Sequence, residues 1–171
     1  MNGKRFVAML FSALFLLLVC TACHTENAAE VIPLTSEEKD ILSQMGEDIH
    51  VVSDEDFPQI VPEIIAHCAD YTGQVYQMEG FYTVENVNGE ESPYFYRTLV
   101  NNGEKTICEL PMKYLEKELP LGAWVRVTAI INFSDLGGEE FATLEVVAVE
   151  SLAMPKKTEL PWNGPSHEHE H

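Results

Sequence analysis

A single glycine constrains the fold of this chain more than any other residue. Gly80 stands in the middle of residues 74–87 (QVYQMEGFYTVENV), a run otherwise rich in aromatic and β-branched residues that closes on Asn88-Gly89. Such a run reads as a strand ended by a tight turn. A glycine inside a strand weakens it unless the strand must bend or bulge there. A small barrel needs that bend, because one strand has to serve two sheets.

Four further strands are expected. Residues 93–101 (PYFYRTLVN) close on Asn102-Gly103, and residues 105–110 (KTICEL) make a short third strand. After Pro111, residues 112–118 (MKYLEKE) read as a short helix, ended by Pro120 and Gly122. Residues 123–133 (AWVRVTAIINF) form the fourth strand, 135–138 (DLGG) a turn, and 140–152 the fifth strand. Alternation assigns the faces. In the fourth strand Val125, Val127, Ala129, Ile131 and Phe133 oppose Trp124, Arg126, Thr128 and Asn132. In the fifth, Ala142, Leu144, Val146 and Ala148 oppose Thr143, Glu145 and Val147. The expected fold is mostly β: a five-stranded OB-fold-like Greek-key barrel, with a preceding helix and a short helix between strands 3 and 4.

Residues 49–52 read as an added edge strand ahead of the barrel. Ser53 with Asp56 then offers a helix cap, and Phe57, Ile60, Val61, Ile64, Ile65 and Cys68 recur at helical spacing through Asp70. Pro62 kinks that helix unless a new first turn starts there. Its apolar side fits a lid over one end of the barrel.

The run YTGQVYQMEGFYTV, with YRTLVNN, LGAWVRVTAIINF and EVVAVESLAMP after it, resembles the extracytoplasmic OB-like domain of the YcgQ-like group, small bacterial proteins that partner predicted permeases. Members of the group share Y-x-G-K-x-V-x-I-x-G-F-V after a helix, a late W-V-x-V-x-G and a V-x-x-I-x-x-P ending. The resemblance covers residues 49–161. It implies an accessory role beside a permease or envelope protein. Many members carry paired cysteines after the second strand. Leu99, Val100 and Asn101 stand there in this chain, so the residues for a metal or redox role at that place are lacking.

Charge narrows the partners. The formal net charge of −18 argues against nucleic acid, whose phosphates must be met by Lys and Arg. The start of the chain points to the envelope. Lys4 and Arg5 precede the apolar residues 6–19, and the composition turns polar from His24. This is the pattern of a signal peptide, and the run is short for a span, which needs roughly 20 apolar residues. Cys20-Thr21-Ala22-Cys23 resembles the lipidation site of bacterial lipoproteins, with Cys20 where Leu is preferred. Cys23 would then carry a diacylglyceryl thioether and hold the protein on the extracytoplasmic side of the cell membrane. A secreted protein and an uncleaved anchor are the other readings. The chain divides into residues 1–22 (lipoprotein signal peptide), 23–48 (acidic spacer with a capping box at Thr35 and Glu38), 49–154 (barrel with its helix) and 155–171 (Pro-containing extended segment and tail).

Several residues are candidates for chemistry. His167, His169 and His171 alternate with glutamates at the C-terminus, and imidazole with carboxylate binds zinc. Cys68 and Cys108 are the cysteines left in the mature body, either as a disulfide stapling helix to barrel or as two buried thiols. Tyr82, Tyr94 and Tyr96 crowd the first two strands, whose neighbourhood is the usual OB-fold binding surface. There is no nucleophile motif, phosphate-cradling loop or HExxH pair, so a binding module is expected rather than an enzyme.

Overall fold

The computed structural model describes residues 31–87, 89–136 and 139–162. In chain order these form α1 (Ser36–Met45), β1 (Ile49–Val51), α2 (Phe57–Ala66), α3 (Cys68–Tyr71), β2 (Val75–Val87), β3 (Glu90–Asn101), β4 (Glu104–Lys113), β5 (Trp124–Leu136), β6 (Glu139–Leu152) and β7 (Glu159–Pro161). The strand order is β1-β2-β5-β6-β4-β3-β7, and a further β2–β3 pairing closes β2 through β6 into a five-stranded barrel. Its joins are antiparallel except β4–β6, which is parallel and spans Met112↔Leu144 and Lys113↔Glu145. This is the OB-fold-like order expected from the sequence.

Gly80 does what a barrel strand requires. β2 pairs with β5 from Val75 to Phe81 and with β3 from Phe81 to Val87, so its partner changes beside Gly80. A Cβ at this position would lie 2.6 Å from Cζ of Phe95 and 2.7 Å from the carbonyl oxygen of Tyr96. Only glycine leaves room for that ring and that backbone. At the β3–β4 turn, Asn102 and Gly103 both take positive φ (51° and 88°), the mirror-image turn that suits twisted hairpins.

Alternation fills the interior. Val125, Val127, Ala129 and Ile131 of β5 are fully buried, facing Met78, Phe95, Leu99, Leu110 and Leu144 in one core. Two expected inward residues differ. Phe133 is 40% exposed, because β5 loses β2 as a neighbour beyond Ile130. In β6, Thr128 pairs with Ala148 but Ala129 with Val146, so Val147 is an extra residue. The bulge reverses the faces beyond it, and Val149 rather than Ala148 joins the core.

The helices supply part of that core. Phe57, Val61 and Ile64 are fully buried and Cys68 nearly so, all within the barrel cluster. Burying each of the three large side chains contributes about 1.5–3 kcal/mol. The single helix expected over residues 57–70 breaks at His67 (φ −132°, ψ 45°) into α2 and α3, while Pro62 lies inside α2 without ending it. Ser53 and Asp56 form a turn ahead of α2: Asp56 N donates to Ser53 Oγ at 3.2 Å, and Ser53 Oγ to Asp56 Oδ2 at 2.6 Å.

The short helix expected over residues 112–118 is absent. Met112 and Lys113 extend β4 and make the parallel join to β6, where Met112 is 3% exposed. Closing the barrel therefore takes the residues that would start the helix. Tyr114 follows with φ +61°, and the chain runs irregularly to β5, turning Leu119 into the core.

Segments on either side of the barrel lie back on it. β1 pairs in parallel with β2, and β7 in parallel with β3, followed by a 2.8 Å bond from Trp162 N to the Val100 carbonyl. Ile32 exchanges bonds with Ser151 of β6: its N donates to Ser151 Oγ at 2.5 Å, and its carbonyl accepts from Ser151 N at 2.9 Å. The capping box of α1 is formed, with Glu38 N donating to Thr35 Oγ1 at 3.1 Å and Thr35 N to Glu38 Oε2 at 2.6 Å. Glu38 also accepts from Lys117 Nζ (2.8 and 3.0 Å) and from Val149 N (3.1 Å). Burial opposes its ionisation, but these bonds outweigh burial and lower its pKa from 4.5 to about 2.

Candidate functional site

The register builds an aromatic row across the outward-facing side of the sheet, with Trp124 at its covered end, 2% exposed. Trp124 of β5 lies opposite Phe81 of β2, Phe81 opposite Tyr96 of β3, and Tyr96 opposite Glu109 of β4. Phe81 stacks on Tyr96 with ring centroids 5.2 Å apart and 19° between planes, and meets the Trp124 ring edge-to-face at 5.1 Å. One rung along, Tyr94 lies opposite Thr83 on one side and Pro111 on the other. Tyr94 and Tyr96 are both partly buried.

Carboxylates surround these rings. Burial, then the charges of Glu109 and Glu85, raise the Tyr94 pKa; burial, then Glu85, raise that of Glu109. Burial is the larger cause of both shifts, and the neighbouring carboxylates add to it. Among the described residues, neither Glu85 nor Glu109 has an ion-pair partner. The next rung is neutralised internally. Arg126 donates to Glu79 Oε1 through Nη2 (2.7 Å) and Nε (3.0 Å) and to Glu150 Oε1 through Nη1 (2.8 Å), while Trp124 Nε1 donates to Glu79 Oε2 at 3.2 Å.

Behind the row lies Arg97, 1% exposed, in the gap where β2 and β3 part. Its Nη1 donates to Asp54 Oδ1 at 2.7 Å and to the Glu79 carbonyl at 3.2 Å. Its guanidinium carbon lies 4.8 Å from the Trp124 ring centroid and 5.4 Å from that of Phe57. Among the described residues Nε and Nη2 have no hydrogen-bond partner, and the two ring faces lie against the guanidinium instead. The cation thus backs Trp124 and, through it, Phe81, which makes the outer row a firm platform.

The structure separates the residues singled out in the sequence. Tyr94 and Tyr96 share the outer face. Tyr82 does not: it lies opposite Phe95, points inward and is 7% exposed. Phe81 takes its place outside. The sequence held the signal, because a two-residue turn after Val87 sets Phe81 opposite Tyr96. Glu85, Glu109, Trp124 and Arg97 were not anticipated as parts of the site. Cys68 and Cys108 are both buried and are not bonded to one another here; burial raises the Cys108 pKa to about 11. Cys23, His167, His169 and His171 lie outside the described residues. Among the described residues no group of three or more His, Cys, Asp or Glu could hold a metal ion, and no helix is long and apolar enough to cross a membrane.

No family model matches this chain, and no curated protein matches it. The fold and the face define it as an OB-fold-like barrel with an acidic aromatic outer surface.

Proposed function

We propose that this chain is a binding module of the cell envelope, lipid-anchored through Cys23 on the extracytoplasmic side, that holds a basic segment of a partner protein on the outer β2–β3–β4 face. The observation that carries this reading is the Phe81–Tyr96 stack with Tyr94 between the unpaired carboxylates of Glu85 and Glu109. Flat rings accept a guanidinium face, and carboxylates beside them meet its charge. The net charge of −18 steers cations toward the molecule and repels nucleic acid. The partner is a membrane permease or another envelope protein, by the sequence resemblance. Zinc held by His167, His169 and His171 would be a separate property of the tail.

The test is calorimetric titration of the full chain with an arginine-rich peptide and with a glutamate-rich peptide of equal length. The basic peptide binds, more weakly at high salt, and Tyr94→Ala or Glu109→Gln weakens it about tenfold, the loss of one cation–π contact with its charge. Equal binding of the acidic peptide, or affinity unchanged in both variants, would overturn the reading. Membrane release of Cys23→Ser checks the anchor, and retention of that variant would remove it.

A further inference from the structure

A cleft of about 520 Å³ opens between α1, the turn after β4 and the bulge of β6. That volume falls within the roughly 300–1,000 Å³ of small-molecule sites. Ile41, Leu115, Val146 and Val147 give it apolar walls. Tyr114 stands at its edge, 73% exposed, with φ +61°. A tyrosine in the left-handed region is strained, and its ring stands out in water.

Charge selects what can enter. Lys117 lines the cleft, but its ammonium is already committed to Glu38 (2.8 Å), the Val149 carbonyl (2.7 Å) and the Pro33 carbonyl (3.4 Å). An ammonium has three donors, so none is left for an anionic ligand. Glu38 is neutralised by the same lysine. Glu37 and Glu116, both exposed on the cleft, have no ion-pair partner among the described residues. The cleft therefore offers apolar walls, one uncovered aromatic ring and two free carboxylates.

We infer that this cleft binds a small organic cation with an apolar body, an aryl- or alkylamine. The apolar body lies on Ile41, Leu115 and Val147 and covers the Tyr114 ring, and the ammonium meets Glu37 and Glu116. The site is independent of the proposed peptide face.

The full chain is titrated with phenethylamine, 2-phenylethanol and 3-phenylpropionate, which share the ring and differ in charge. The amine binds saturably, the alcohol about tenfold more weakly, and the carboxylate not measurably, as expected where carboxylates recognise the head group. Tyr114→Asn removes the ring at a position where Asn tolerates the backbone, so the fold is kept, and weakens the amine about fivefold. Glu116→Gln weakens it about threefold. Amine and carboxylate binding alike, no saturable amine binding, or full affinity in a Tyr114→Asn, Glu116→Gln double variant would each overturn the inference.

Discussion

Two ion pairs fasten the segments ahead of the barrel onto it, and they divide their burial in opposite ways. In Arg97–Asp54 the guanidinium is 1% exposed and the carboxylate 60%. In Lys117–Glu38 the two ends are 17% and 15% exposed. The first pair hides its cation between two aromatic rings and, among the described residues, leaves Nε and Nη2 without bonds. The second shares its burial and surrounds both ends with hydrogen bonds from or to the backbone. The energetic weight of an ion pair depends on which end water can still reach once its partner is gone. The first pair should therefore respond unequally to loss of its two ends, and the second about equally.

The sharpest break is Asp54→Ala, which strands a buried guanidinium and should lower unfolding free energy by about 3 kcal/mol. Next come Lys117→Met and Glu38→Gln, each leaving a mostly buried partner, with similar losses of about 2 kcal/mol. The smallest effect is that of Arg97→Met, which keeps bulk against the Phe57 and Trp124 rings and frees a carboxylate already in water, within about 1 kcal/mol. Urea unfolding of the four variants measures all of these, and equal losses for Asp54→Ala and Arg97→Met would dissolve the contrast.

Acid sharpens the same comparison. Glu38 has its folded pKa lowered from 4.5 to about 2, so its contribution is fully present above pH 4.5 and is lost as the pH falls from there toward 2. Glu38→Gln should flatten the stability profile within that window. A wild-type profile already flat there would remove Glu38 from the account.

The barrel was legible because its cues are local. Gly80, the Asn-Gly turns and the alternation of β5 each point to one conformation, and they agree with one another. The capping box of α1 and the extended edge of β1 were equally local. What the sequence hid was decided by distant partners. Residues 112–118 carry a helical pattern, but Met112 is needed opposite Leu144, and tertiary closure overrides propensity. The extra residue at Val147 leaves no signature among β-branched neighbours, so the face reversal beyond it could not be counted. Of the candidate site, Tyr94 and Tyr96 were visible, and Tyr82 was misplaced by one position of alternation. Glu85 and Glu109 were hidden by abundance, since acidic residues are everywhere in this chain. Arg97 gave no warning either: a charged residue inside an alternating strand looks solvent-facing until the gap between β2 and β3 is seen.

The parallel join of β4 to β6 has a kinetic consequence. It closes the barrel with the two rungs at Met112 and Lys113, whereas β2, β3 and β4 form a meander through tight turns and β5 with β6 a long hairpin. Closing a long loop for few contacts gains little until everything else is in place. The barrel should accordingly behave as a zipper with one short clasp, fastened last in folding and unfastened first. Native-state hydrogen exchange should find residues 112–113 opening well below the global unfolding free energy and residues 125–129 of β5 opening only with it. Equal protection at both places would mean that the clasp and the hairpins form one cooperative unit.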